Sequence, residues 1–176
     1  MKAIMIDYYY QFLHERHYFE CHELLEDAWK AQPLFTKQDI EVAFIMLATS
    51  QYHQRRGNIS GAARCLTKAI DGFIRHHSQL NDYGVETTII PLLKQRFNQI
   101  HEPYLPLQLP LTSQCLNQLT MTYPGFNSFN EANREWIDFH RTRDRSDIIA
   151  ARTKRLMSNK DPVDDPPQKC GDQQCD

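Results

Sequence analysis

Residues 18–29, Tyr-Phe-Glu-Cys-His-Glu-Leu-Leu-Glu-Asp-Ala-Trp, hold the densest concentration of groups able to do chemistry in this chain. Read as a helix at 100° per residue, Tyr18, Cys21, Leu25, Ala28 and Trp29 share one stripe. His22 and Glu26 flank that stripe, and Glu20, Glu23 and Asp27 point away from it. His22 and Glu26 are four residues apart, so their side chains can meet on one helical face. His53 falls near the middle of the apolar stripe of a later predicted helix. If the two helices pack side by side, His22, Glu26 and His53 converge. Neutral imidazoles and a carboxylate are plausible ligands for zinc or a similar divalent cation, although the leading expectation is that the chain uses no cofactor.

Glu23 and Glu26 are then the candidate catalytic carboxylates, and a metal-free variant would use Glu and His as base and acid. Tyr18, Glu20, His22, Trp29, Tyr52 and Asn58 are candidate binding residues around them. A structural reading stands beside these: a His and a Glu at the edge of a core commonly hydrogen-bond each other or a nearby carbonyl. The run His22-Glu23-Leu-Leu-Glu26 begins like a zinc-protease helix, but Glu stands where that motif needs a second His, which argues against a protease. Gly57-Asn58-x-x-Gly61 precedes a predicted helix and could hold an anion; a cap and a close-packing position are the simpler roles.

The elements that must position these groups read as helices. The first covers Ile4 to Glu15, Arg16 and His17 make a turn, and the second runs from Tyr18 to Ala31 before Gln32-Pro33. The third spans Gln38 to Arg56, with Val42, Ile45, Met46, Thr49, Tyr52 and His53 as its core stripe and Gly57 as a left-handed cap. The fourth, Ser60 to Ser78, uses Ala62, Leu66, Ala69, Ile70 and Phe73. The fifth, Glu86 to Ile100, requires Pro91 in its first turn. Glu102 to Pro110 is an extended connector, and short helices are predicted at Ser113–Met121 and at Glu131–His140, the latter anchored by Trp136. A weak repeat pairs Tyr18, Cys21, Leu25 and Ala28 with Ile59, Ala62, Leu66 and Ala69 at an offset of 41 residues. Gly61, Ala62 and Ala69 would let two helices approach, as in a tetratricopeptide hairpin. Of Tyr8, Tyr9 and Tyr10, at least one should be exposed or lie in an interface, because three consecutive positions cover more than one helical face.

The chain has 176 residues, 41% of them hydrophobic, and a net charge of -2, so no global field recruits nucleic acid or acidic lipid. The basic positions Arg141, Arg143, Arg145, Arg152, Lys154 and Arg155 lack interleaved aromatics, and nucleic-acid binding is not expected. Five cysteines without a paired framework favour a reducing compartment. No secretory leader and no apolar run of bilayer length is apparent, so a cytoplasmic location off the membrane is expected.

Two segments carry a family resemblance. Phe12 to Trp29 has the pattern Phe-x5-Tyr-Phe-Glu-x-His-Glu-x-Leu-Glu-x-x-Trp, and Tyr52-His53-x-Arg-Arg-Gly-Asn58-x-x-Gly-Ala62 follows it. In this order and spacing they resemble the bacterial and archaeal family called domain of unknown function 309, over about residues 7–79. The resemblance implies a compact all-helical fold and no established activity. Its pattern positions here are Tyr18, Phe19, Glu20, His22, Glu23, Glu26, Trp29, His53, Gly57, Asn58, Gly61 and Ala62. Similar proteins often have a glycine in the turn where this chain has Arg16 and His17, and a glutamine where it has Met46.

The expected architecture is all-α: compact antiparallel helical hairpins, about five main helices, weakly tetratricopeptide-like. The helical core is placed at 1–125, peripheral short helices and a basic stretch at 126–160, and a disordered acidic tail at 161–176. The leading functional expectation is a protein or peptide interaction module with a buried His/Glu cluster. Its partner is a protein or a second copy of the chain. The competing one is a metal-dependent hydrolase using His22, Glu26 and His53.

Overall fold

The computed structural model describes residues 3–131 and 133–137. The chain divides into two units, Met1–Arg141 and Thr142–Asp176. The expected acidic tail at 161–176 and the basic positions from Arg141 to Arg155 lie outside the described residues.

The described residues form an all-α fold with six α-helices and no strand. Helix α1 (Ala3–Tyr10) runs on into a π-helical turn at Gln11–Glu15. Met5, Tyr8, Tyr9 and Phe12 are fully buried, whereas Tyr10 is half-buried and stacks on Tyr123 at 3.9 Å between centroids. Burial of adjacent positions means that α1 lies under other elements on most of its circumference.

Arg16 then adopts φ 54°, the single left-handed non-glycine residue described. That conformation costs an L-residue roughly 1–2 kcal/mol and costs glycine nothing. Here the side chain offsets it: the buried Arg16 guanidinium donates to the carbonyls of Phe12 (3.3 Å), Leu107 (3.1 Å) and Ser128.

Helix α2 (Tyr18–Lys30) follows, then α3 (Ile40–Arg55) and α4 (Ile59–Arg75). Helix α3 is the centre of the fold and packs along both α2 and α4. Its sequence is apolar nearly all round, and that misdirects a reading by periodicity. Of the expected core stripe, Ile45 and Tyr52 are buried, but Val42, Met46, Thr49 and His53 are only half-buried. The core is filled instead by Ala43, Phe44, Leu47 and Ala48. In α4 the stripe Ala62, Leu66, Ala69, Ile70 and Phe73 is buried as expected, because polar residues fill its other side.

The close approach of α3 and α4 occurs at Gly72, which the sequence reading had not singled out. A Cβ there would lie 2.6 Å from the Cβ of Ala43. Gly57 closes α3 at φ 74°, as expected of a left-handed cap.

A 3-10 segment, His77–Tyr83, leads to α5 (Ile89–Asn98), whose third residue is Pro91, within the first turn. Residues 103–110 carry no helix or strand, α6 (Ser113–Thr122) packs on α1, and an isolated bridge joins Val85 to Leu111. Within the expected helix Glu131–His140, a single 3-10 turn at Arg134–Trp136 is described.

Candidate functional site

Two hollows open along the exposed side of α3. The first, about 190 Å³, is lined by Tyr18, Phe19, His22, Thr49, Tyr52, His53 and Arg56. The second, about 540 Å³, is bounded by α2 through His22, Glu26 and Trp29, and by α4 through Lys68, Asp71 and Arg75. Val42 and Met46 lie in the second and Thr49 and His53 in the first, one helical turn after another, and His22 borders both. The half-buried stripe of α3 is therefore the floor of a groove, with α2 as one wall and α4 as the other at its wider end.

The floor is aromatic at the first hollow. Tyr52 meets Phe19 edge-on at 6.2 Å, and the Arg56 guanidinium lies 5.2 Å from the Tyr52 ring centre. Tyr18 forms its back wall, fully buried, with its hydroxyl 2.6 Å from that of Tyr104. Burial raises both phenol pKa values, so the pair is neutral at ordinary pH.

Asn58 fixes the state of His53. As the α4 N-cap, its Oδ1 accepts from the Gly61 N–H at 3.0 Å, while its Nδ2 lies 3.1 Å from His53 Nδ1. An amide nitrogen can only donate, so Nδ1 accepts, and the neutral ring carries its proton on Nε2. Burial first, then Arg56 and Arg64, lower the His53 pKa. Asn58, one of the expected binding residues, is also the cap that sets this tautomer.

The candidate ligands divide. His22 Nδ1 lies 3.0 Å from Glu23 Oε1, and His22 Nε2 lies 3.9 Å from Glu26 Oε2. Among the described residues, His22, Glu23 and Glu26 form a group whose ligand atoms all fall within 4.8 Å of one another. His53 is not part of that group, although it shares the first hollow with His22. Glu23, expected to face away, joins it because its flexible side chain folds back on the neighbouring imidazole. Glu26 is also held by Lys30 at 2.8 Å.

The remaining predicted site residues have structural partners. The Trp29 indole donates to Asp39 at 2.9 Å and to the Thr36 carbonyl at 3.2 Å, which ties down the α2–α3 loop. Bonds from the Thr36 backbone and hydroxyl, with that of Trp29, lower the Asp39 pKa. Glu20 lies 4.0 Å from His17 Nδ1 and lines neither hollow.

Three features escaped the sequence reading. Arg55 leaves the groove and reaches behind Tyr18, donating to the carbonyls of Arg16 (2.6 Å) and Trp136 (2.9 Å). The His17 ring lies tilted at 45° against Trp136, 4.2 Å between centroids, and burial followed by the Arg55 charge pushes its pKa down to about 4. Glu41 is buried and accepts from Tyr83 Oη at 2.8 Å. The polar type of Glu41 on an apolar helix was the available signal for the last. Nothing local reports the other two, since their partners lie 39 to 119 positions away in the chain.

A family model with the description "domain of unknown function" (309) matches residues 6–65. The protein described as uncharacterised YpuF, from Bacillus subtilis (strain 168), is 33% identical over 164 residues. The alignment covers 88% of this chain and 94% of that one. No solved structure matches the chain significantly. No helix among the described residues is long and apolar enough to cross a membrane.

Proposed function

The chain belongs to the domain of unknown function 309 family, and from its groove we propose that it is an interaction module that binds a segment of a protein partner. The observation carrying this is the half-burial of Val42, Met46, Thr49 and His53 at successive turns of the central helix. An apolar stripe at the heart of a fold is ordinarily covered. Among the described residues, α2 and α4 wall it and leave it half-exposed, a geometry that suits helix-in-groove recognition. Three free thiols among the described residues, Cys21, Cys65 and Cys115, support action in a reducing compartment such as the cytoplasm.

The test is a photo-crosslinking residue placed at Thr49 of the full chain in cells, with Leu116 on α6 as a site outside the groove. The expected result is a defined crosslinked species at Thr49, absent at Leu116 and lost on Met46→Glu. A second copy of the chain would appear as a self-crosslink. Equal labelling at both positions would overturn the proposal.

The His22, Glu23 and Glu26 group supports a second reading, a divalent-metal site at the groove wall, with hydrolysis as its chemistry. Both nitrogens of His22 already face carboxylates, and Glu26 shares its charge with Lys30, so a metal must displace those contacts. Elemental analysis of untagged protein decides it. Stoichiometric metal that disappears in His22→Ala supports this reading, and metal-free folded protein ends it.

A further inference from the structure

We infer that His14 is a proton-sensitive latch: its neutral ring holds the turn at residues 126–130 against the end of α1, and protonation releases that turn. The latch lies outside the groove and does not depend on the interaction reading.

His14 belongs to the π-helical turn that continues α1. Its ring stacks on Tyr10 at 4.7 Å, and the Phe126 ring lies tilted at 6.2 Å. The groups within hydrogen-bond distance of its nitrogens are all donors. The Asn127 backbone N–H donates to Nδ1 at 2.9 Å, and Asn130 Nδ2 lies 3.0 Å from both ring nitrogens. The turn itself orients that amide. The Phe129 N–H donates to Asn127 Oδ1 at 3.0 Å, which leaves Asn127 Nδ2 to donate to Asn130 Oδ1 at 2.9 Å. Asn130 Nδ2 is then the end that meets the imidazole. A backbone N–H cannot accept, so Nδ1 is bare and the neutral ring carries its proton on Nε2. A second proton has one place to go, Nδ1. There it would face the Asn127 N–H, two hydrogens in the space of one bond. Turning the ring over does not help, because Cδ2 would then face the amide. The charged ring and the closed turn therefore exclude each other.

The surrounding charges do little to offset this. Glu15 is the ionic contact of His14 among the described residues, with Oε1 3.9 Å from Nε2. That oxygen already accepts from Tyr10 Oη at 3.0 Å, and the pair is partly open to water, so it gains little when the ring is charged. On the α6 side, the Tyr123 ring stacks on Tyr10 and its hydroxyl engages Asp7 at 2.8 Å. The turn, Phe126-Asn-Ser-Phe-Asn130, has no ionisable side chain. Arg16, two residues beyond His14, is held by the carbonyls of Phe12, Leu107 and Ser128. That last contact carries the consequence. The Ser128 carbonyl, in the middle of the turn, accepts from Arg16 and from Gln108 Nε2 at 2.7 Å. Release of the turn withdraws one of the three carbonyls around the buried guanidinium of the left-handed residue just before α2. A proton taken from solvent at His14 thus loosens the entry into α2.

The experiment is nitrogen-15 NMR of the labelled full chain at pH 8 and pH 5, the range over which an ordinary imidazole changes charge. The lower limit stays above the point at which His17 titrates, about 4. At pH 8 the His14 Nδ1 resonance should be that of a bare ring nitrogen, coupled to the Asn127 amide across the hydrogen bond. At pH 5 the coupling should be gone. Backbone order parameters at Asn127 to Asn130 should fall from about 0.85 to below about 0.6, with Leu66 of α4 unchanged. His14→Gln offers an oxygen that accepts at either pH, so its turn should stay rigid at both. His14→Phe keeps a ring against Tyr10 without the acceptor, so its turn should be mobile at both. Melting curves establish that the variants are folded; if either is not, the two wild-type spectra decide alone. A turn that stays rigid at pH 5 around a charged ring would overturn the inference. So would a turn that loosens at pH 5 in His14→Gln, or one that is rigid at pH 8 in His14→Phe.

Discussion

The two sides of α3 use the same helix in opposite ways. On the buried side every large group has a neighbour supplied by the chain. Phe44 meets Phe73 edge-on at 4.9 Å, Ser50 donates to the Ala62 carbonyl at 2.9 Å, and Gln54 donates to that of Ile100 at 3.3 Å. On the groove side Val42, Met46 and Thr49 stop at half-burial, and Thr49 spends its hydroxyl on its own helix, at the Ile45 carbonyl. The difference teaches that, among the described residues, the core closes without covering the groove side of α3. Apolar surface that stability does not use is free to serve a partner. Mutations on the two sides should therefore separate stability from binding.

The largest effect is expected at the buried face. Phe44→Ala removes a fully buried ring packed against Tyr8, Tyr9, Phe73 and Tyr83, and should cost about 3–5 kcal/mol in denaturant titration. A loss below about 1 kcal/mol would break the contrast between the two sides. Arg16 gives the next test. Arg16→Ala keeps the left-handed strain and abandons the carbonyls of Phe12, Leu107 and Ser128, for a loss of roughly 2–3 kcal/mol. Arg16→Gly abandons the same bonds but relieves the strain, so it should fall between Arg16 and Arg16→Ala. Equal losses for the two replacements would mean that the φ of 54° carries no strain.

Helices, their ends and the connector could be read from sequence because caps, prolines and apolar spacing act locally. Gly57 and Pro91 are examples, each where the local rule places it. The face of α3 could not, because burial on several sides removes the polar contrast that periodicity needs. His22 and Glu26 were found by their spacing of four, and their separation of 3.9 Å follows from it. Placing Glu23 with them and His53 apart required side-chain torsions and the Asn58 cap. The left-handed residue before α2 could not be read either, because an arginine stands where that backbone favours glycine. Arg55 stands at the end of α3, where any cation suits the helix dipole, so its sequence position does not reveal its distant partners, the carbonyls of Arg16 and Trp136.

A smaller effect comes from pH, and it acts behind the groove rather than in it. His17 titrates at about 4 in the folded chain, against 6.5 for an unburied imidazole, so the unfolded state binds the proton more readily. Its contribution is fully present above pH 6.5, falls as the pH drops towards about 4, and is then flat. Glu15 opposes the shift and Arg55 supports it. Chemical denaturation from pH 7.5 to 4 should show this loss, and His17→Gln should flatten it. An unchanged slope in that variant would assign the loss to other groups.

The smallest stability effect is expected at the floor of the groove, and it bears most directly on the contrast. Met46→Gln replaces a half-buried thioether by an amide of similar length, which can turn its polar end to the water of the open hollow. A similar replacement at a sealed position would strand the amide at a cost of about 1–3 kcal/mol. On the groove side the change should stay within about 0.5 kcal/mol. Partner binding at the Thr49 crosslinking position should nevertheless fall, because the occupant must then desolvate the amide against an apolar surface. Full retention of crosslinking with an unchanged melting temperature would leave Met46 without a role in either half of the comparison. A loss of stability as large as that at Phe44 would show that the hollow over Met46 is closed in solution, and the division of α3 into a structural and a binding side would fail at its centre.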